Sequence, residues 1–130
     1  MKNRISIATT LILLLISSTA FSNARDSDGS RMQARAVALG KTIKDNIRPP
    51  GDAVDWYYFR LEKEREVKLS LNIKSKKEAR LTLSDTVGKS ILQNRTKAQR
   101  LTMKTQKLKP GIYYVSVSAK SAFSYSLLIK

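Results

Sequence analysis

The sequence predicts an all-β fold: a two-sheet antiparallel β-sandwich, jelly-roll-like, of seven to eight strands behind an N-terminal signal peptide. Three observations predict it. Apolar residues recur with a period of two in four separate runs, which helical spacing does not produce. Clusters of Gly, Pro, Asp, Asn, Ser and Lys punctuate these runs at short intervals. The chain of 130 residues allows one domain, and seven or eight short strands over some ninety residues call for a sandwich or a barrel.

The elements follow in order. Met1-Lys2-Asn3-Arg4 is a short basic start, and Ile5 to Phe21 carries no charge around the dense centre Leu11-Ile12-Leu13-Leu14-Leu15-Ile16. Ala20-Phe21-Ser22 and Ser22-Asn23-Ala24 both offer small residues to a signal peptidase, so residues 1–24 read as a secretory signal. The other reading is an uncleaved anchor, for which an apolar run of about 17 residues sits at the short limit. Export to a bacterial periplasm or beyond is expected, with no membrane span once the signal is removed. Residues 25–35, with Asp26-Ser27-Asp28-Gly29-Ser30, read as a flexible leader. Met32 to Leu39 is compatible with one turn of helix ended by Gly40, marginal by itself.

The domain is expected over 36–130. Val67, Leu69, Leu71 and Ile73 alternate with Lys68, Ser70 and Asn72; Ala79, Leu81 and Leu83 alternate with Arg80, Thr82 and Ser84. Tyr113, Val115 and Val117 alternate with Tyr114, Ser116 and Ser118, and Phe123, Tyr125, Leu127 and Ile129 with Ser124, Ser126 and Leu128. Each run has one buried and one wetter face, as in antiparallel sheets. Weaker strands are expected at Thr42–Ile47, Lys89–Gln93 and Arg100–Lys104, and a strong aromatic one at Val54–Leu61. Turns are expected at Pro49-Pro50-Gly51-Asp52, Glu62-Lys63-Glu64, Ser75-Lys76-Lys77, Asp85-Thr86-Val87-Gly88, Asn94-Arg95-Thr96 and Lys109-Pro110-Gly111.

Composition excludes whole classes of chemistry. The chain has no His and no Cys, hence no Ser-His-Asp triad, no imidazole or thiolate metal site, no thiol nucleophile and no disulfide. No Gly-x-Ser-x-Gly elbow or Ser-x-x-Lys motif is present. A domain this small spends most inward positions on its core. No enzyme activity, small-molecule substrate or cofactor is expected. The formal charge of +15 points instead to anionic partners. With residues 1–24 removed, 23 basic and 10 acidic residues remain. The excess is uneven: residues 74–109 hold 11 basic residues against Glu78 and Asp85 alone.

Two motifs carry a family resemblance. Pro50-Gly51-Asp52-Ala53-Val54-Asp55-Trp56-Tyr57-Tyr58-Phe59-Arg60-Leu61 resembles the Gly-Asp-x-Asp-x-Tyr-x-Phe strand of the bacterial pre-peptidase C-terminal domain, a small β-sandwich appended to secreted peptidases. Leu108-Lys109-Pro110-Gly111-Ile112-Tyr113-Tyr114-Val115-Ser116-Val117 is similar to that family's penultimate strand. Ala38-Leu39-Gly40-Lys41-Thr42-Ile43 and Tyr125-Ser126-Leu127-Leu128-Ile129 fall where the family has comparable segments, so the resemblance spans residues 36–130. The sequence departs from the pattern in two places. One extra residue separates Asp52 from Asp55, and Glu78-Ala79-Arg80-Leu81 stands where the family commonly has Asp-Ala-Asp-Leu. No peptidase precedes the domain, so a standalone module is expected.

Asp52 and Asp55 are the candidates for calcium, which takes about six to eight oxygen ligands. Only Glu78 and Asp85 are available to join them, so backbone hydrogen bonding in a turn is the preferred reading and no metal is expected. The resemblance turns Tyr57 and Phe59 inward, which sets Trp56, Tyr58 and Arg60 outward as a row of two rings and a guanidinium, the candidate partner-binding stripe. The alternative is that a neighbouring segment covers Trp56. The candidate polyanion-binding residues are Lys74, Lys76, Lys77, Arg80, Arg100, Lys104, Lys107 and Lys109; the alternative is a solubilising surface that protects edge strands. Three functions remain. One is docking to a protein assembly of the cell envelope or surface, which we favour. The others are binding an anionic polymer such as cell-wall glycan, lipopolysaccharide or nucleic acid, and serving as a free-standing accessory of a secreted peptidase.

Overall fold

The structure, a computed structural model, describes residues 29–130; the expected signal peptide and the start of the leader lie outside the described residues. Two sheets face each other. The first has five strands in the order β1 (Arg35–Ala36), β3 (Val54–Leu61), β8 (Gly111–Ala119), β5 (Ala79–Ser84), β6 (Ser90–Thr96). The second has four, in the order β2 (Thr42–Ile47), β9 (Phe123–Ile129), β4 (Lys68–Ile73), β7 (Arg100–Lys104). Pairing is antiparallel throughout except for β1 beside β3. Among the described strands, only β5 and β6 form a hairpin within one sheet, and every other connection crosses to the opposite sheet. In the β5–β6 turn the Asp85 carboxylate accepts the Val87 and Lys89 N–H groups at 3.1 and 2.8 Å, and Gly88 takes the φ of +89° that a side chain resists.

The period-two patterns make this core. Tyr57, Phe59 and Leu61 of β3 pack with Leu69, Leu71 and Ile73 of β4 and with Leu81 and Leu83 of β5. Val115 and Val117 of β8 and Leu127 and Ile129 of β9 complete a single buried cluster. The eight runs expected as strands all form strands, and β1 is a ninth. Two local expectations are corrected. The helical turn expected from Met32 to Leu39 is replaced by a 3-10 turn at Arg31–Gln33 followed by β1. A lone turn of helix satisfies few of its own backbone groups, whereas β1 pairs Arg35 with Tyr57 and the Val37 N–H donates to the Tyr58 carbonyl at 2.9 Å. Asn94-Arg95-Thr96, expected as a turn, extends β6, because the β5 ladder continues to Ala79 opposite Thr96. The turn falls at 97–99, where the Thr96 hydroxyl accepts the Ala98 N–H at 2.9 Å.

One polar chain runs through the apolar interior. Asp55, fully buried on β3, accepts the Tyr125 hydroxyl of β9 at 2.5 Å. With that proton committed, the Tyr57 hydroxyl donates to the Tyr125 oxygen at 2.5 Å, and Arg35 donates to the Tyr57 oxygen at 3.0 Å. Arg35 also forms an ion pair with Asp45 of β2, and its guanidinium lies 5.1 Å from the Tyr57 ring centroid. Arg35, Tyr57, Tyr125 and Asp55 thus form a relay across the space between the sheets. A buried carboxylate is tolerated there because it is hydrogen-bonded.

Burial, above all, pushes both tyrosine hydroxyls above their ordinary pKa of 10.0, with the Asp55 charge reinforcing the effect. A group raised on folding contributes stability that is complete below its unfolded pKa and is lost as pH rises toward its folded value. Unfolding free energy is therefore expected to fall as pH rises beyond about 10, as urea titrations at about pH 8 and about pH 10.5 will show. Tyr125→Phe removes the hydrogen bond that Tyr125 donates to Asp55 and costs about 1–3 kcal/mol at the lower pH, with a shallower alkaline loss. Leu81→Ala, at a fully buried site, is expected to cost about 2–5 kcal/mol in the same assay.

Candidate functional site

The alternation that buries one face of each strand fixes what the other face presents. On β3, Asp55, Tyr57, Phe59 and Leu61 are buried, so Trp56, Tyr58 and Arg60 stand on the outer face of the five-stranded sheet, the two rings half-buried and Arg60 exposed. The neighbouring β8 adds a ring in register: Tyr58 is directly opposite Tyr114, their centroids 6.1 Å apart and tilted by 48°. Above Tyr114 lies the Arg31 guanidinium, 5.3 Å from the ring centroid and donating to the Thr86 carbonyl at 3.2 Å. The row of three expected from sequence is thus a patch of three rings flanked by two guanidiniums. Neither Tyr114 nor Arg31 was singled out by the sequence reasoning. The only signal for Tyr114 was its place on the wet side of the β8 alternation. Arg31 stands in the segment read as leader. Such a patch offers flat apolar faces with polar rims and cationic ends, suited to stacking and to a partner's side chains.

The basic residues are divided. Arg80 lies on the same outer face, across β8 from the aromatic patch, with Ser118 beside it on one side and Arg95 on the other. Arg100 and Lys104 stand with Lys68 on the outer face of the four-stranded sheet, on the other side of the molecule. Arg100 donates to the Asn72 side chain at 3.1 Å, and Lys104 pairs with Glu66 at 3.2 Å. Lys74, Lys76 and Lys77 occupy the β4–β5 connection, and Lys107 and Lys109 the β7–β8 connection. Because β4 pairs with β7 from Lys68–Lys104 to Asn72–Arg100, these two connections leave opposite ends of the sheet, about 17–20 Å apart along a six-residue strand. The eight candidates therefore do not form one patch. Lys107 and Lys109 share their end with Glu62, Glu64, Glu66 and Asp85, whereas the end holding Lys74, Lys76 and Lys77 has Asp52 and Glu78.

Among the described residues, four depressions open toward this second end, and each has a cation on its wall: Lys74 and Arg100 in one; Arg80, Arg95 and Lys120 in another; Arg48 in a third; Lys44 and Lys74 in a fourth. The calcium candidates do not converge. Asp55 belongs to the buried relay, and Asp52 exchanges backbone hydrogen bonds with Arg48 at 2.8 and 3.1 Å in the turn before β3. Among the described residues no group of three Asp or Glu side chains is gathered for a metal. No helix among them is long and apolar enough to cross a membrane.

A family model described as the secretion system C-terminal sorting domain matches residues 67–130. No curated protein matches the chain in sequence. The pre-peptidase C-terminal domain of a collagenase from Bacillus anthracis superposes with a TM-score of 0.67 at 21% identity, covering 75% of this chain and 94% of that one. The surface-associated copper-binding protein CorA, important in Methylomicrobium album BG8 copper acquisition, superposes with a TM-score of 0.55 at 10% identity, covering 75% of this chain and 98% of that one. The sequence match thus falls on a sorting domain, a different family from the pre-peptidase C-terminal domain whose motifs the chain resembles. In fold, the chain is a β-sandwich similar to that pre-peptidase C-terminal domain.

Proposed function

We propose that this chain is an exported, non-catalytic module that docks onto a protein assembly of the cell envelope or surface, with the outer face of its five-stranded sheet as the contact. The observation that carries this reading is the Trp56–Tyr58–Tyr114 patch, with Arg31 and Arg60 at its margins. The core is complete on the inner face, so these rings are not needed to build the sandwich, yet aromatic and arginine side chains are the ones that anchor protein interfaces. The similarity of residues 67–130 to a secretion sorting domain supports contact with export machinery in particular. The positive surface adds long-range attraction to an acidic partner. Binding an anionic polymer is the second reading, supported by the cations on the walls of the four depressions.

Salt and mutation separate the two. Purified protein immobilised and exposed to envelope extract is expected to retain a defined protein through a wash at about 500 mM salt, where polyelectrolyte contacts collapse. The double variant Trp56→Ala, Tyr58→Ala is expected to lose that partner at least tenfold while keeping its melting temperature within a few degrees, since both side chains face outward. Lys76→Gln with Lys77→Gln is expected to leave retention nearly unchanged. Release of glycan, lipopolysaccharide or nucleic acid by salt, with no protein retained, overturns the docking reading in favour of the polymer.

A further inference from the structure

We propose that the depression beside the β8–β9 turn, away from the aromatic patch, is a binding site for a phosphomonoester group. The site begins with an arrangement a sheet normally avoids. Arg80 on β5 and Arg95 on β6 are direct cross-strand partners on the outer face. Like charges directly opposite each other are destabilising. Arg80 is half-buried, and among the described residues no carboxylate lies within ion-pair distance of it. Among the described residues Arg95 pairs with Glu78 alone, at 3.7 Å, and both side chains are about half exposed or more, so that pair is weak. Lys120 adds a third cation from the β8–β9 turn, and Ser118 and Ser121 place hydroxyls on the same wall. The depression these residues line has a volume of about 520 Å³, ample for one oxyanion and part of what carries it.

Charge decides the class of ligand. Three cations against one carboxylate leave a net +2 on the wall of the depression. A carboxylate or a phosphodiester brings one negative charge and leaves a cation unmatched. A phosphomonoester carries close to two at neutral pH and three oxygens that accept hydrogen bonds. Two guanidinium forks and an ammonium supply charge-assisted donors of the geometry that phosphate takes best, and the serine hydroxyls add neutral ones. Occupancy also removes the repulsion between Arg80 and Arg95, so the strained pairing of the free protein becomes the recognition element of the bound one. The group reaches the site either on a soluble sugar phosphate or on a lipid headgroup.

Calorimetric titration of the purified protein with glucose 1-phosphate, and with glucuronate as the carboxylate control, tests the site. Phosphatidylcholine vesicles doped with phosphatidic acid or, as the phosphodiester control, with phosphatidylglycerol make the second arm. Saturable binding that prefers the monoester in either arm is expected, and the arm in which it occurs identifies the source. Arg80→Gln and Arg95→Gln are each expected to weaken it by roughly tenfold or more. Both are expected to keep or raise the melting temperature, because the like-charge pair is relieved. Arg95 is on an exposed edge strand, so its variant folds even if Arg80→Gln proves disruptive. Lys76→Gln with Lys77→Gln, at the same end but outside the depression, is expected to change affinity by no more than about twofold, as screened surface charges do. Absence of monoester preference in both arms, or equal weakening by the lysine and arginine variants, would falsify the site. Trp56→Ala leaves this binding intact, so the test is independent of the docking face.

Discussion

The relay from Arg35 through Tyr57 and Tyr125 to Asp55 is the constraint on which the arrangement of the sandwich turns. Apolar burial holds the two sheets together but is non-directional, and it tolerates sliding of one sheet over the other as long as area stays covered. A fully buried carboxylate does not tolerate this. Asp55 sits on the five-stranded sheet and the donor Tyr125 on the four-stranded one, so sliding one sheet over the other breaks their hydrogen bond. The outer end of the relay performs a second task. Arg35 reaches Tyr57 on one sheet and Asp45 on the other, which pins the short strand β1 to both and closes the open flank of β3.

That placement creates the outer surface as a by-product of the inner one. Each residue that the core draws inward on β3 turns its neighbours outward, and the β3–β8 register brings Tyr114 beside Tyr58. The same geometry sets Arg80 opposite Arg95 across β5 and β6. Two surfaces of different character thus occupy one sheet face. One is aromatic with cationic margins, and the other is a cationic hollow with hydroxyls. Between them lie Ser116 of β8 and Thr82 of β5, cross-strand partners with small side chains. On the four-stranded sheet the outward Lys68, Arg100 and Lys104 are moderated by Asn72 and Glu66, which hold two of them in local contacts.

The sequence by itself determined the sandwich and most of its strands. A period of two can be satisfied only by burying one side of an extended chain, and Gly, Pro and Asp turns cut the chain where it does so. Thr42–Ile47, Val54–Leu61 and Arg100–Lys104 end where the pattern of side chains ends. It also determined that Trp56, Tyr58 and Arg60 share a face, because alternation within a strand is a local property. Where local signals were weak, they misled. Asn94-Arg95-Thr96 has turn-forming residues but lies opposite Ala79 and Arg80, and the ladder overrides the propensity. Met32–Leu39 has helix-compatible residues, but the flank of β3 offers part of it hydrogen bonds that a lone turn lacks.

What only the tertiary structure decided is which residues of different strands meet. Charge density along the chain grouped Lys76, Lys77, Lys107 and Lys109, yet strand direction sends them to opposite ends of the molecule. Conversely, nothing local joins Tyr58 to Tyr114, Arg80 to Arg95 and Lys120, or Asp55 to a tyrosine seventy residues away. Those contacts depend on sheet order and register, which arise from the packing of two faces against each other. Periodicity along a single strand carries no information about its neighbour.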